Sequence, residues 1–148
     1  MKVAVGVDHG GYPLKERVVC LLKELGHEVS DVGAHEFDPS DDYPDCALKA
    51  AHLLASGSAQ RAIIICGSGV GASVAANKVR GVRAAVCHDL YSAAQGVEHD
   101  DMNALCMGAR IVDEEMAARL VTAFLSAEFS GEERHERRLR KVLAAEQG

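Results

Sequence analysis

Apolar residues along the chain fall into two recurring patterns: short continuous runs, and longer stretches in which they return every three or four positions. Lys2 to Val7 is a run of strand length, and beyond Gly10-Gly11 the residues Leu14, Val18, Leu21, Leu22 and Leu25 repeat at helical spacing. Pro13 suits a first helical position and Gly26 the residue just past a helix end. Residues 28–32 read as a second strand and 33–43, polar and aspartate-rich around Pro39, as a loop. Pro44 opens a second helix that ends near Gly57. Arg61 to Cys66 is a third strand, and its unbroken apolar run suits burial on both faces.

Residues 67–71 form a glycine turn into a helix over 72–79, followed by a strand over 83–87, a helix over 91–98 and a fifth strand over 104–107. Asp113 is an N-cap for a helix over 114–127. The charged stretch 131–148 has Leu139, Val142 and Leu143 as a sparse apolar face, suited to packing on a partner or across the domain. Regular alternation of strand and helix predicts a parallel sheet covered on both sides, with ligands at the carboxyl ends of the strands.

A chain of 148 residues fits one domain, 1–148, with 131–148 as a C-terminal helical extension. With 48% hydrophobic and 26% charged residues, it is neither disordered nor fibrous. A net charge of −6 and the lack of interleaved aromatics argue against nucleic acid, leaving local basic clusters free to hold a small phosphate. The amino-terminal apolar run is too short for a signal peptide and no later stretch approaches a membrane span, so the expected location is the cytoplasm, with no membrane partner. Five cysteines with no C-x-x-C spacing argue against a disulfide framework or a zinc site.

Chemistry is therefore sought at the strand ends. The first carries Asp8-His9-Gly10-Gly11, an acid, base or phosphate contact, or simply a turn satisfying its own hydrogen bonds. The third carries Cys66-Gly67-Ser68-Gly69-Val70-Gly71-Ala72, where alternate glycines let backbone N–H groups converge on negative charge and favour a thiolate at the rim. Dinucleotide binding competes for this loop, because Gly67-x-Gly69-x-x-Ala72 fits a relaxed fingerprint and Asp89 follows about twenty residues later. Against it, the loop follows the third strand and no second domain is available for a substrate. Cysteine phosphatase chemistry fails because Ala72 stands where C-x5-R needs arginine. Proton transfer beside a carbonyl uses every part: Cys66 as base, the N–H groups for an enediolate, and Ser68 as a relay between substrate oxygens. A glycine turn beside an inert cysteine is the remaining structural alternative.

Further along, His99 offers an acid or base for opening a cyclic sugar, or is an incidental surface histidine. Arg134 and Arg138 share a helical face and can grip a phosphate together, or belong to a solvated face with Glu132, Glu133 and Glu136.

In this order the pieces resemble the ribose-5-phosphate isomerase B family, which also contains allose-6-phosphate and galactose-6-phosphate isomerases. The resemblance rests on Asp8-His9-Gly10-Gly11, Asp42-Tyr43-Pro44, Ile65 to Gly71, Ala75-Ala76-Asn77-Lys78, His99-Asp100-Asp101-Met102-Asn103, Gly108-Ala109-Arg110 and Arg134-His135 with Arg138. It implies a three-layer α/β/α sandwich with a five-stranded parallel, Rossmann-like sheet, acting without metal or organic cofactor on a sugar phosphate. It also implies a homodimer, in some members a tetramer, whose sites lie between subunits and whose C-terminal helix packs on the partner. By resemblance Cys66 moves the proton, Ser68 assists, His99 opens the ring, Asp8 binds sugar hydroxyls and Tyr43 lines the pocket. Gly67, Gly69, Val70 and Gly71 supply the anion-binding backbone, and His9, Arg134, Arg138 and Arg110 bind phosphate.

One position departs from the pattern. Many family members have asparagine where this chain has Asp100, and an ionised carboxylate there would oppose an enediolate unless turned away, protonated or matched to a different hydroxyl. Members lacking the cysteine use a glutamate further along the loop; Ala72-Ser73-Val74 leaves Cys66 as the local base. Ribose 5-phosphate and ribulose 5-phosphate are the leading pair. The alternatives are allose 6-phosphate, galactose 6-phosphate or a tetrulose phosphate, and, from another class, a nucleotide-binding module using the glycine loop.

Overall fold

The computed structural model describes residues 1–147. Strand β1 (Lys2–Val7) leads into α1 (Tyr12–Glu24), and strand and helix then alternate through β2 (Glu28–Asp31), α2 (Tyr43–Ala55), β3 (Arg61–Cys66), α3 (Val70–Ala76), β4 (Ala84–Val86), α4 (Leu90–Asp100) and β5 (Ala104–Gly108). Helices α5 (Glu114–Ser126) and α6 (Glu133–Ala145) complete the chain. The five strands form one parallel sheet in the order β2-β1-β3-β5-β4, the α/β/α arrangement expected from the alternation. Among the described residues no helix is long and apolar enough to cross a membrane.

Side chains alternate across each strand, and the two faces bury different volumes. Val3, Val5, Val7, Ile63, Ile65, Leu105 and Met107 meet α1, α4 and α5 through large residues such as Leu22, Leu120 and Phe124. On the other face Ala4, Ala62, Ile64, Cys66, Ala104 and Cys106 meet α2 and α3 through alanines 47, 50, 51, 72 and 76. Small residues on both sides let those two helices lie close to the sheet, and Cys66 belongs to this face.

Several ends differ from the sequence reading for local reasons. Helix α3 starts two residues early, at Val70, directly after Gly69 with φ +83°, and ends at Ala76 rather than residue 79. There the Asn77 amide donates to the Ala84 carbonyl and accepts from the Ala84 N–H, both at 2.8 Å, which binds the chain to β4. Strand β4 loses Arg83, whose N–H goes to the Asn103 side chain at 2.7 Å. Asp113 caps α5 as expected, accepting from the Met116 N–H at 2.9 Å. Helix α6 rests against α4, with the buried His135 ring on His99.

Strand order reverses between β1 and β3, because α1 and α3 leave them toward opposite faces. Their carboxyl ends therefore diverge and open a crevice. Phe124 anchors the opposite side of the sheet, fully buried with the Arg61 guanidinium 5.3 Å from its ring centre. Phe124→Ala should lower the unfolding free energy by about 3–5 kcal/mol, measured by urea denaturation, whereas a loss below about 1 kcal/mol would mean that the layer collapses to fill the space.

Candidate active site

The crevice holds a cavity of 330 Å³ lined by Asp8, His9, Gly10, Tyr43, Cys66, Gly67, Ser68, Gly71, Arg110 and Ile111. That is the small end of the range for ligand sites, on the order of 300–1,000 Å³. Four segments build it: the β1–α1 and β3–α3 loops, the start of α2 at Tyr43 and the segment after β5.

Cys66 ends β3 opposite Gly108 of β5, and its sulfur accepts the Gly69 N–H at 3.1 Å. The bond requires the chain to double back at residue 69. A β-carbon there would adopt a left-handed conformation and stand 2.9 Å from the Met107 backbone, so only glycine fits. The Val70 N–H turns to the Ser68 hydroxyl at 3.2 Å. Gly69 and Val70 thus spend their N–H groups inside the loop and do not line the cavity, whereas Gly67, Ser68 and Gly71 do. Gly71 is held by close approach, since a β-carbon would come within 2.7 Å of the Tyr43 ring.

Across the crevice, Asp8 is buried and accepts the Gly11 N–H at 2.9 Å. His9 Nδ1 lies 2.7 Å from Asp41 Oδ1, which also accepts the His9 main-chain N–H at 3.0 Å. Hydrogen bonding to Asp41, with the Asp8 carboxylate nearby, raises the His9 pKa above its ordinary 6.5 against the opposing effects of desolvation and of Arg110. The Arg110 guanidinium lies over Gly67, 3.4 Å from where a β-carbon would stand. Arg110 and, in its protonated form, His9 therefore bring positive charge to the cavity of an acidic protein, a seat for an anion. Asp8, His9 and Asp41 also bring one ligand atom each within 4.8 Å of one another, and their pairing with Gly11 and with each other accounts for that closeness without an ion.

The other cysteines stand apart from this chemistry. Burial pushes the Cys46 and Cys87 thiols up to about 11 and Cys106 higher still. Cys20 is exposed on α1, lining a separate groove. Asp89, the acid a dinucleotide reading needs, is the N-cap of α4 and accepts the Ser92 N–H at 2.7 Å.

Besides Gly69 and Val70, four candidates are absent from the cavity lining. His99 and Asp100 lie at the end of α4, Asp100 lining a groove beside Arg83 and Leu139, and Arg134 and Arg138 lie exposed on α6. His99 stacks on His135, ring centres 3.9 Å apart. Conversely, Asp41 and Ile111 belong to the site but carry no sequence signal: Asp41 is one aspartate of an acidic loop, and Ile111 an isolated apolar residue between elements.

A model of the Ribose/Galactose Isomerase family matches residues 3–142. Over 146 residues the chain is 43% identical to the ribose-5-phosphate isomerase B of Escherichia coli (strain K12), covering 99% of this chain and 97% of that protein. It is 37% identical over 134 residues to the D-erythrulose-4-phosphate isomerase of Pectobacterium atrosepticum, covering 88% and 86%. The structure of the Clostridium thermocellum ribose-5-phosphate isomerase B is similar with a TM-score of 0.95 at 47% identity, over 99% of this chain and 98% of that one. A family match over nearly the whole length, with the same fold, means that the chain belongs to the ribose/galactose isomerase family of enzymes.

Proposed function

We propose that the enzyme interconverts ribose 5-phosphate and ribulose 5-phosphate through a cis-enediolate, with Cys66 as the base. The observation that carries the reading is the Cys66 sulfur, held by the Gly69 N–H at the rim of a cavity that His9 and Arg110 also line. The Cys66 thiolate takes the proton from C2 of the open-chain aldose, and the C2–H electron pair forms the C1–C2 double bond as the carbonyl electrons move to O1. Backbone N–H groups of Gly67, Ser68 and Gly71 favour the resulting negative charge. The proton on O2 passes to O1 with the Ser68 hydroxyl as relay. The carbonyl re-forms at C2 and C1 recovers the proton from the Cys66 thiol. His9 and Arg110 bind the phosphate, Asp8 the sugar hydroxyls, and Tyr43 walls the pocket over Gly71.

A homodimer completes this site, each cavity receiving the partner's His99, Asp100, Arg134 and Arg138. Supporting this, two large residues of the cavity lining are uncovered: Ile111 is 60% exposed and Tyr43 41%. A second reading keeps the chemistry and changes the sugar. Asp100, where the family pattern has asparagine, and the similarity to a D-erythrulose-4-phosphate isomerase favour a tetrulose phosphate as the competing substrate.

A panel of sugar phosphates, assayed without added cofactor, separates the two sugars. Turnover should be fastest on the ribose 5-phosphate pair, and Cys66→Ala should reduce kcat/KM by about 10²–10⁴-fold. Faster turnover of a tetrulose phosphate would reassign the substrate, and nucleotide binding with no isomerisation would sink the reading.

Subunit sharing predicts complementation. Cys66→Ala and His99→Asn chains, each inactive alone, should regain about a quarter of wild-type activity when unfolded and refolded together in equal amounts, since half the dimers are mixed and each mixed dimer has one intact site. Activity that stays at the level of the separate variants would place both groups in one chain's site.

The raised His9 pKa sets a pH dependence. The pairing with Asp41 favours the imidazolium, so its contribution to stability and to phosphate binding is full below about 6.5 and is lost as pH rises through the higher folded value. KM for the sugar phosphate should rise over that interval, and Asp41→Asn should move the rise to lower pH. An unchanged midpoint, read from the His9 proton resonances, would remove Asp41 from this role.

A further inference from the structure

Helix α4 carries a second polar residue one turn before His99. The side-chain amide nitrogen of Gln95 lies 2.8 Å from His99 Nδ1. An amide NH₂ group has donors and no lone pair to offer, so with the amide nitrogen facing the ring this contact favours the tautomer in which Nδ1 accepts and Nε2 carries the proton. The opposite side of the ring is also held. His135 stacks on His99 with the planes 17° apart, and it is only 2% exposed. Neither His135 ring nitrogen has a hydrogen-bond partner, and the nearest carboxylate, on Glu132, stands 3.8 Å away and takes Arg134 at 2.9 Å instead. Burial, with His99 and Arg134 beside it, lowers the His135 pKa, so the plate beneath His99 is uncharged.

We infer that Gln95 is a positioning residue that fixes His99 as the Nε2–H tautomer, so that His99 meets the cyclic sugar as a hydrogen-bond donor and not as a base. This rests on the proposed role of His99 in ring opening. In the step it supports, the anomeric hydroxyl gives its proton to solvent water and the C1 carbonyl forms. The bond from C1 to the ring oxygen breaks with its electron pair. The departing oxygen is held as an alkoxide by Nε2–H and takes a proton from water, so the proton count closes without consuming that of His99. A neutral imidazole suits this task because it donates without first having to capture a proton.

Two readouts test the assignment. In the wild-type protein with nitrogen-labelled histidine, the His99 NMR shifts should report an unprotonated Nδ1 and a protonated Nε2 at a pH where the ring is neutral. Gln95→Glu replaces the donor by an acceptor and should move the proton to Nδ1; Gln95→Leu should leave a mixture. The second readout separates ring opening from proton transfer at carbon. Ribulose 5-phosphate cannot close a five-membered ring because its C5 oxygen is esterified, so exchange of its C1 hydrogen with D₂O needs no ring opening.

Gln95→Glu should lower kcat on ribose 5-phosphate by at least about tenfold. C1 exchange from ribulose 5-phosphate should stay within about twofold of wild type, since that step does not use the ring-opening donor. A wild-type proton on Nδ1, an unchanged kcat with a reversed tautomer, or equal losses in both assays would each overturn the inference. Wild-type enzyme that turns over no sugar phosphate while keeping the Nε2–H tautomer would overturn the proposed function, and the role of Gln95 with it. Those two failures are thereby distinguishable.

Discussion

The hydrogen bond from the Gly69 N–H to the Cys66 sulfur is the contact around which the site is arranged. It closes four residues into a loop tight enough that residue 69 must be glycine, pressed against the backbone of β5 at Met107. That pressure is possible because β3 and β5 run parallel in a register that sets Cys66 beside Gly108. The same closure carries Ser68 and Gly71 to the cavity and starts α3 two residues earlier than hydrophobic spacing indicates. Sheet order, loop conformation and the position of the sulfur are therefore one constraint. A slip of β3 against β5 would disturb all three.

Environment rather than residue type separates Cys66 from the other cysteines. Cys106, in the neighbouring strand, points to the same face and is sealed within the sheet, where burial disfavours its thiolate strongly. Cys46 and Cys87 are also pushed up by burial, to about 11. Cys66 sits at a strand end on the cavity wall, where a backbone N–H points at its sulfur. An acidic chain can still hold an anion beside it, because Asp41 stabilises charge on His9 and Arg110 reaches over Gly67.

What could be read along the chain was whatever local spacing controls. Apolar runs mark strands such as β1 and β3, prolines and glycines mark helix ends, and the glycine loop singles out Cys66. Ends governed by side chains reaching across the sequence were displaced, as where Asn77 binds Ala84 and stops α3. The site's electrostatics were illegible for the same reason. His9 and Asp41 are 32 residues apart, in an acidic loop where no spacing distinguishes one aspartate from the next. Gln95 and His99 are one turn apart and so were within reach of helical spacing, but a glutamine before a histidine has meaning only once the donor is seen to face Nδ1. His135 is the extreme case: it stands in the most charged stretch of the chain and is nonetheless one of its most buried side chains.

That burial bears on how α6 can serve a second subunit. A helix whose only tie were a sparse apolar stripe would fray, and arginines on it would lose side-chain and backbone entropy on gripping a phosphate. Helix α6 is instead tied near both ends, by His135 against His99 and by Glu146, which accepts from the Arg80 side chain at 2.9 Å and from the Gly81 N–H at 3.1 Å. Arg134 and Arg138, one turn apart, therefore project from a fixed face and are exposed in the single chain. Because His135 packs on His99, the same contact that fixes this face also fixes the ring assigned to ring opening. His99, Arg134 and Arg138 thus form a preorganised unit rather than three independent side chains. Asp100 follows His99 at the end of α4, turned by about 100° around the helix axis, toward Arg83 and Leu139.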